Sequence, residues 1–278
     1  GVGYWRSASL IKQITERSKT RRSYPGKLMG LAGYGTVREE MLPYFRQFFI
    51  EKDGKIADMI KGGSYFQKTA GENVASTIQK TFEDILFEEL DKYDTQIPLV
   101  VTGGCALNVI INEKIKDRYK REVYVPPNPH DGGLSLGHMF CYQKPKERVN
   151  VTYNGLPLLD RDKLKDYNTK KVTKKDIARL LKDGKIIGLI YGDSEVGPRA
   201  LGNRSIVCDP SIPEMKDILN SKVKHRESYR PFAPFCKKED AHKYFESRDF
   251  ENMEYMSFAV KVKVDTLPSI THVDGTAR

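Results

Sequence analysis

The sequence has few of the features that mark membrane, secreted or zinc-binding proteins. No apolar run approaches the ~20 residues that span a bilayer, and the first residues lack the pattern of a signal peptide. The cysteines lie far apart with no CxxC spacing. They are therefore interpreted as free thiols of a cytoplasmic protein, not as a zinc site or a disulfide framework: Cys105, Cys141, Cys208 and Cys236.

Length and composition favour a soluble protein with two modest domains. The chain has 278 residues, 39% of them hydrophobic and 30% charged, which disfavours disorder. The net charge of +10 is divided evenly, since residues 1–149 and 150–278 carry +5 each. Because the excess is spread out, small anionic molecules are favoured as partners over nucleic acid.

The most informative stretch is Glu195–Asp209, EVGPRALGNRSIVCD, which follows a predicted buried strand at Lys185–Tyr191. A glycine-rich, donor-rich turn after a strand is suited to holding phosphate or carboxylate groups. Arginine forks bind such anions in a bidentate manner. The candidate donors are Arg199, Asn203, Arg204 and Ser205, joined by Arg226 and Arg230 of the segment RESYRPFAP. The alternative is a surface loop whose arginines pair with Glu195 and Asp209, contributing little to stability.

A second candidate is the segment Ile97–Asn108, IPLVVTGGCALN. It predicts a strand over Ile97–Thr102, a turn at Gly103-Gly104 and a helix that begins near Ala106. Glycines let the backbone approach a phosphate, and the N–H groups of a helix N-terminus face the anion. Alone the glycine pair is weak evidence, and a purely structural turn is the alternative.

A third candidate is Asp131, which follows a predicted strand at Val123–Val125 and precedes two glycines. A carboxylate in this position is suited to a metal or a metal-bound phosphate. The alternative is an N-cap on a predicted helix at Gly133–Tyr142. His130 beside it is a weaker ligand candidate.

The remaining patterns predict alternating helices and strands. Glu72–Leu90 has apolar residues at helical spacing and is expected to pack across a sheet. Thr173 and Asp176 predict a capping box on a helix at Lys174–Lys182. Further predictions are helices at Ala8–Arg17, Glu214–Lys222 and Lys238–Phe245, a glycine turn in Pro25–Gly35, a hairpin at Asp53-Gly54 between Phe45–Ile50 and Lys55–Ile60, a linker at Tyr142–Asp160 and a half-buried strand at Tyr255–Val264.

Several motifs together resemble one enzyme family. GPRALGNRSI with YRPFAP, GKLMGLAGYG, TGGCALN and HVDGTAR resemble segments of the carbamoyltransferases that modify nodulation factors and antibiotics, with Gly33 where proline is common. The resemblance implies an α/β fold: the second lobe of an actin/sugar-kinase-like (Kae1-like) domain over residues 1–148, and a partial YrdC-like α/β domain over residues 149–278.

The resemblance also implies an activity and a set of site residues. Carbamoyl phosphate and ATP would give carbamoyl adenylate, and the carbamoyl group would pass to a hydroxyl of a small-molecule acceptor. A divalent metal, iron or magnesium, would assist, and a homodimer is left open. The implied catalytic residues are Arg199, Arg204, Arg226 and Arg230; the implied cofactor-binding residues are Gly103, Gly104, Asn108, Gly132, Asn203 and Ser205; the implied metal ligand is Asp131.

One departure from the family pattern keeps other functions open. The family's metal site uses histidines of an HxxxH-type motif, whereas the histidines here are scattered: His130, His138, His225, His242 and His272. The chain is therefore expected to be a fragment that begins midway through the first domain and stops within the second. The alternatives are a threonylcarbamoyl-tRNA-type or kinase-like ATP-binding protein, or a non-catalytic binding module.

Overall fold

The computed structural model describes residues 1–16, 20–51, 68–93, 96–147, 149–160, 162–247, 250 and 253–278. Over these residues the helices are α1 Val2–Ala8, α2 Lys12–Thr15, α3 Tyr24–Ala32, α4 Leu42–Glu51, α5 Gly71–Leu90, α6 Val109–Tyr119, α7 Leu134–Gln143, α8 Lys174–Lys182, α9 Met215–Ile218 and α10 Ala241–Tyr244. The strands are β1 Leu99–Val100, β2 Val123–Tyr124, β3 Ile187–Ile190, β4 Arg204–Val207, β5 Phe245–Glu246, β6 Val260–Val262 and β7 Thr276–Ala277. The mixed α/β class predicted from the sequence is confirmed. No helix of the described ranges is both long and apolar enough to cross a bilayer.

The longest helix, α5, organises the core of the first half. The predicted helix at Glu72–Leu90 is confirmed, but the prediction that it packs across a sheet is wrong. Its main neighbours are α1, α3 and α4, and the ring of Phe82 lies 5.1 Å from that of Tyr4 on α1. Large apolar side chains on those helices fill its apolar face, and Leu28 and Phe45 among them are fully buried.

The glycine-rich segment Pro25–Gly35 lies in helix α3 as far as Ala32, and the predicted turn is limited to Gly33–Gly35. Pro25 is tolerated because it lies at the first helical turn, where no intrahelical N–H bond is lost. Gly35 in this turn allows close packing. A Cβ atom on Gly35 would collide with the carbonyl oxygen of Glu72, so the turn after α3 and the start of α5 approach each other too closely for any larger residue at this position.

Two other predictions in this half are corrected. The helix predicted at Ala8–Arg17 is reduced to α2, because Ala8 is already the last residue of α1. Arg17 lies outside the described residues. Phe45–Ile50 lies in helix α4 and not in a hairpin arm, since Phe45 and Phe48 are both buried at helical spacing. The Asp53-Gly54 turn and the arm at Lys55–Ile60 lie outside the described residues.

Strands β1 and β2 pair in parallel, with Leu99 opposite Val123 and Val100 opposite Tyr124. Helix α6 connects them, as parallel strands require. Both strands are shorter than predicted. The helix predicted near Ala106 starts later, because a 3-10 turn at Gly104–Leu107 comes first and Asn108 caps α6. This turn leaves Gly103-Gly104 at the carboxyl end of β1.

Strands β3 and β4 form an antiparallel pair that runs from Ile187 opposite Val207 to Ile190 opposite Arg204. The strand predicted at Lys185–Tyr191 is present but not buried, because half-buried and exposed residues alternate and 57% of Ile190 is exposed. The capping box of Thr173 and Asp176 on α8 is confirmed.

The final third forms a small three-stranded sheet in the order β5-β6-β7. The strand predicted at Tyr255–Val264 is reduced to β6. The helix predicted at Glu214–Lys222 is α9 followed by one π-helical turn. The helix predicted at Lys238–Phe245 is a 3-10 turn followed by α10, and Phe245 begins β5. A second apolar cluster covers this sheet, formed by Ala241, Phe245, Val260, Ile270 and Ala277. The domain boundary near residue 149 stays a prediction.

Candidate active site

The loop between β3 and β4, which we call the arginine loop (residues 191–203), is organised by the buried carboxylate of Glu195. Its Oε1 accepts hydrogen bonds from the backbone N–H groups of Leu201, at 2.7 Å, and Asn203, at 2.8 Å. Burial acts to raise the pKa of this carboxyl, but the backbone N–H groups and the Arg204 guanidinium outweigh it and hold the pKa below its usual value. Glu195 is therefore an ionised centre that fixes the loop.

Arg204 pairs with Glu195, as in the surface-loop alternative given by the sequence. Its Nε lies 2.8 Å from Oε2 of Glu195, and its Nη2 donates to the carbonyl oxygen of Gly197 at 2.9 Å. The other candidate donors also make bonds within the loop and β4. The amide Nδ2 of Asn203 donates to the carbonyl oxygen of Asp193 at 2.7 Å, and Oγ of Ser205 accepts from Gly202 N at 3.1 Å. These groups shape the loop.

Arg199 behaves differently from Arg204. Its Nη1 donates to the carbonyl oxygen of Tyr255 and its Nη2 to that of Leu107, both at 3.2 Å. Among the described residues, no carboxylate pairs with its guanidinium. Burial lowers the pKa of Arg199 to about 10, because a low-dielectric environment disfavours the charged form. The protein thus holds a largely desolvated cation beside the glycine turn.

Three separate segments meet around Arg199. Gly197 has a φ of +145°, and a Cβ atom there would lie 2.8 Å from the carbonyl oxygen of Pro127. The backbone N–H of Gly103 donates to the carbonyl oxygen of Pro129 at 2.6 Å. The arginine loop, the glycine turn and the Pro126–Pro129 segment are therefore in contact, as a phosphate-binding interpretation of these motifs requires.

The glycine turn itself has open space on one side. Gly103 adopts a φ of +83°, and a Cβ atom on Gly104 would meet no heavy atom of the described chain within 4 Å. Asn108 is buried and has a structural role: its Oδ1 accepts from Ile111 N at 3.2 Å and its Nδ2 donates to Oε1 of Gln79 at 2.9 Å. A ligand can therefore approach the turn at Gly104, whereas the N–H of Gly103 already donates to Pro129. Asn108 holds the helix behind the turn.

The described residues do not provide a metal site around Asp131. Its side chain is exposed in a 3-10 turn, and Nδ1 of His130 accepts a hydrogen bond from Gly132 N at 3.1 Å. Within the described ranges no three histidine, cysteine, aspartate or glutamate side chains lie together as metal ligands. The alternative, in which Asp131 is the N-cap of this helix, is wrong, because Gly133 occupies the N-cap of α7 without a side-chain bond. The metal role of Asp131 stays a prediction.

Arg226 and Arg230 belong to a second network of contacts. Nε of Arg226 donates to Oδ1 of Asn220 at 2.6 Å, and its guanidinium lies 4.4 Å from the ring centre of Phe232. Asn220 also donates to the carbonyl oxygen of Arg230 at 3.2 Å. Burial, followed by the neighbouring charge of Arg230, lowers the pKa of Arg226 to about 10. This segment is a second concentration of desolvated positive charge.

The sequence reasoning missed two clusters of buried charge. Lys27 on α3 forms an ion pair with Glu227, and about 5% of either side chain is exposed. Near the chain end, Asp274 contacts His272 and forms an ion pair with Arg278. Only the HVDGTAR motif pointed to the second cluster, and no sequence signal identified the first, since its partners lie 200 residues apart.

A cleft of about 750 Å³ lies between the first half and the C-terminal sheet. Helices α5 and α6 form one wall and β6 part of the other, and both signs of charge line it: Lys80, Glu83, Lys114, Glu246, Lys261 and Asp274. Among the described residues that line it, none of the arginines predicted as catalytic is present. The cleft is thus separate from the arginine loop.

A GxSxG pattern at Gly133–Gly137 was also overlooked. In hydrolases this pattern places the serine on a strained turn between a strand and a helix. Ser135 instead lies within the first turn of α7, and its φ is not positive. The pattern is therefore not a nucleophile elbow here.

Comparison with known proteins gives a consistent result for both halves. A family described as "Carbamoyltransferase N-terminus" matches residues 8–139, and one described as "Carbamoyltransferase C-terminus" matches residues 178–278. The two matches include the glycine turn, Asp131 and the predicted catalytic arginines.

Curated relatives align along nearly the whole chain. Nodulation protein NolO of Bradyrhizobium diazoefficiens is 34% identical over 91% of this chain and 53% of its own length. Nodulation protein NolNO of Sinorhizobium fredii is 33% identical over 91% of this chain and 42% of its own. An uncharacterised protein of Methanocaldococcus jannaschii is 32% identical over 93% of this chain and 48% of its own length. The chain therefore spans about half the length of these relatives.

Proposed function

The chain belongs to the carbamoyltransferase family, and from this premise we propose that it takes part in ATP-dependent O-carbamoyl transfer. Carbamoyl phosphate and ATP would yield carbamoyl adenylate, and the carbamoyl group would then pass to a hydroxyl of a small-molecule acceptor, releasing AMP. The nodulation proteins among its relatives support a transferase better than a kinase-like or tRNA-modifying protein.

The stoichiometry of the proposed first step defines what the site must bind. Carbamoyl adenylate has one bond from a carbamoyl oxygen to the α-phosphorus of ATP. Forming it from carbamoyl phosphate therefore breaks one carbamoyl phosphate linkage, consumes one water, and releases phosphate and pyrophosphate. Every reactant and product except water carries phosphate groups. Such a step requires positioning and charge neutralisation more than a covalent nucleophile.

The observation that carries this proposal is the environment of Arg199. Its guanidinium is largely desolvated and bonds to two carbonyl oxygens beside the glycine turn. A buried charge without a partner of opposite sign is costly. A phosphate group bound between Arg199 and the backbone N–H of Gly104 would relieve that cost. We assign the phosphates of carbamoyl phosphate or ATP to this position.

We further propose that the two halves correspond to a Kae1-like lobe and a YrdC-like domain. Parallel strands joined by α6 support the first assignment, and the arginine-rich hairpin supports the second. A divalent metal is retained only as a general expectation for the family. Because the described residues near Asp131 lack a ligand set, no part of the proposed chemistry is assigned to it.

The test is ATP–pyrophosphate exchange with labelled pyrophosphate, measured with and without carbamoyl phosphate. Adenylate formation predicts exchange only when carbamoyl phosphate is present, with stoichiometric release of inorganic phosphate. Adding hydroxylated acceptors should then convert the adenylate to AMP and a carbamoylated product. Binding of ATP without any carbamoyl-dependent exchange would support a non-catalytic nucleotide-binding module and overturn the proposal for this chain.

A further inference from the structure

The Lys27–Glu227 ion pair connects the two halves of the chain. Lys27 lies on α3, and Glu227 lies beside Arg226 in the RESYRPFAP segment. Both side chains are almost completely buried. Burying an ion pair brings little net stability compared with apolar residues of the same size. A stabilising role alone is therefore a weak explanation for charges at this position.

The carboxylate of Glu227 lies within electrostatic reach of the candidate anion-binding arginines. Arg226 is its chain neighbour and interacts with both Glu227 and Arg230, and the carbonyl oxygen of Glu227 accepts a hydrogen bond from Arg230 N at 3.2 Å. Its Oε1 bonds to Lys27, while Oε2 is buried and meets no donor among the described residues. An unpaired carboxylate here would neutralise the arginines.

The arginine segment also rests directly on α3. A Cβ atom on Gly30 would lie 3.6 Å from Cδ of Pro231 and 3.7 Å from the ring of Tyr229, which are ordinary contact distances. On its other side the segment is fixed by Asn220, which is 2% exposed. Lys27 therefore lies on the helix that packs directly against the arginine segment.

From this geometry we infer that Lys27 is a positioning residue that neutralises Glu227, so that Arg226 and Arg230 keep an uncompensated positive charge for a phosphate-bearing ligand. This inference rests on the proposed function only for the identity of that ligand. The first half of the chain would thereby set the anion affinity of the second. The ligand class is a phosphate or pyrophosphate group, independent of whether a carbamoyl group is attached.

The test uses the full chain and pyrophosphate as the probe, with affinity from calorimetry at pH 7 and stability from the Tm of each variant. Lys27→Met leaves a local charge of −1, the double variant Lys27→Met/Glu227→Gln restores zero, and Glu227→Gln leaves +1. We expect Lys27→Met to weaken binding about tenfold and the double variant to bind within about twofold of wild type. Glu227→Gln should bind as tightly as wild type or tighter.

A purely structural role gives a different result. Both single variants should lower Tm, because each leaves a buried charge unpaired. If pyrophosphate affinity follows these Tm values and not the local charge, the inference is overturned. Equal weakening by Lys27→Met and Glu227→Gln, or a wild-type chain that does not bind pyrophosphate, would overturn it as well. If Lys27→Met does not fold, the Glu227→Gln and double variants still show whether pyrophosphate affinity rises with the local positive charge.

A matched control uses the exposed Arg46–Glu88 pair between α4 and α5. Arg46→Met and Glu88→Gln make the same charge changes on other elements and should shift pyrophosphate affinity less than about twofold. The same measurements distinguish a failure of this inference from a failure of the proposed function. If affinity follows the local charge but carbamoyl phosphate supports no exchange, the proposed reaction fails while the role of Lys27 stands.

Discussion

Nη2 of Arg199 donates a 3.2 Å hydrogen bond to the carbonyl oxygen of Leu107, a residue 92 positions earlier in the chain. Leu107 ends the 3-10 turn that begins at Gly104. This bond connects the arginine loop of the second half with the glycine turn of the first. The candidate site therefore depends on how the two halves of the chain pack together.

Replacing Arg199 should lower the stability of the chain. The sequence predicted a small effect on folding, as for an exposed loop arginine. Because Arg199 is largely desolvated and holds two carbonyl oxygens, we now expect Arg199→Lys to lower the free energy of unfolding by about 1–3 kcal/mol. Urea denaturation measures this change. An unchanged unfolding midpoint would contradict the hydrogen bonds to Leu107 and Tyr255.

Substitutions at the glycine turn should distinguish the effect of a blocked ligand from the effect of backbone strain. Gly104 has open space around its missing Cβ, so Gly104→Val should fold normally, with stability within about 0.5 kcal/mol of wild type. It should weaken ATP binding by about tenfold or more, because the side chain blocks approach to the backbone N–H groups. Unaltered ATP affinity in folded Gly104→Val would remove the turn as a nucleotide site.

Gly103 provides the contrasting variant. Its φ of +83° with a ψ of 176° is a conformation essentially restricted to glycine, so Gly103→Ala should cost about 1–3 kcal/mol of stability. Thermal unfolding without ligand checks this value. A Gly103→Ala chain as stable as wild type would show that the turn has another conformation in solution.

Asp274 should make the stability of the chain sensitive to acid. Burial opposes its ionisation, but the hydrogen bond with His272 and the charge of Arg278 outweigh burial and hold the pKa of Asp274 well below its usual value. Between the folded and unfolded pKa values the unfolded chain binds more protons. The stabilisation is therefore complete above about pH 4 and is lost as the pH falls further.

The measurement is urea denaturation of wild type and Asp274→Asn between pH 2.5 and pH 6. The stability difference between them should be constant near pH 6 and shrink below pH 4 by up to about 1.4 kcal/mol per pH unit. Asp162→Asn is the control, because 93% of the Asp162 side chain is exposed. A difference that does not change with pH would contradict the lowered pKa of Asp274.

Helix α3 and the turn that follows it offer a test of the packing that supports the site. A Cβ atom on Gly35 would collide with the backbone of Glu72, whereas one on Gly26 would meet no described heavy atom within 4 Å. Gly35→Ala should therefore destabilise the chain by about 1–3 kcal/mol. Gly26→Ala should stabilise it by up to about 1 kcal/mol, because alanine favours the helix. Equal Tm shifts for both variants would contradict this packing of the turn after α3 on the start of α5.

Local sequence determined the features that depend on neighbouring residues. The capping box at Thr173 and Asp176 and the long helix α5 were predicted correctly, since a cap needs residues three apart and an amphipathic helix needs only its own periodicity. The alternation of predicted strands and helices also indicated the mixed α/β class. The family resemblance came from the order of rare residues in GPRALGNRSI and YRPFAP, which the comparisons confirm.

Only the tertiary structure decided which charged groups meet. Arg199 and Arg204 lie five residues apart and look equivalent in sequence, yet one bonds to Leu107 and Tyr255 while the other pairs with Glu195. Likewise, nothing near Lys27 indicates that its partner is Glu227. Secondary structure follows from short-range backbone geometry, whereas the solvation and pairing of a charge depend on packing between segments far apart in the chain.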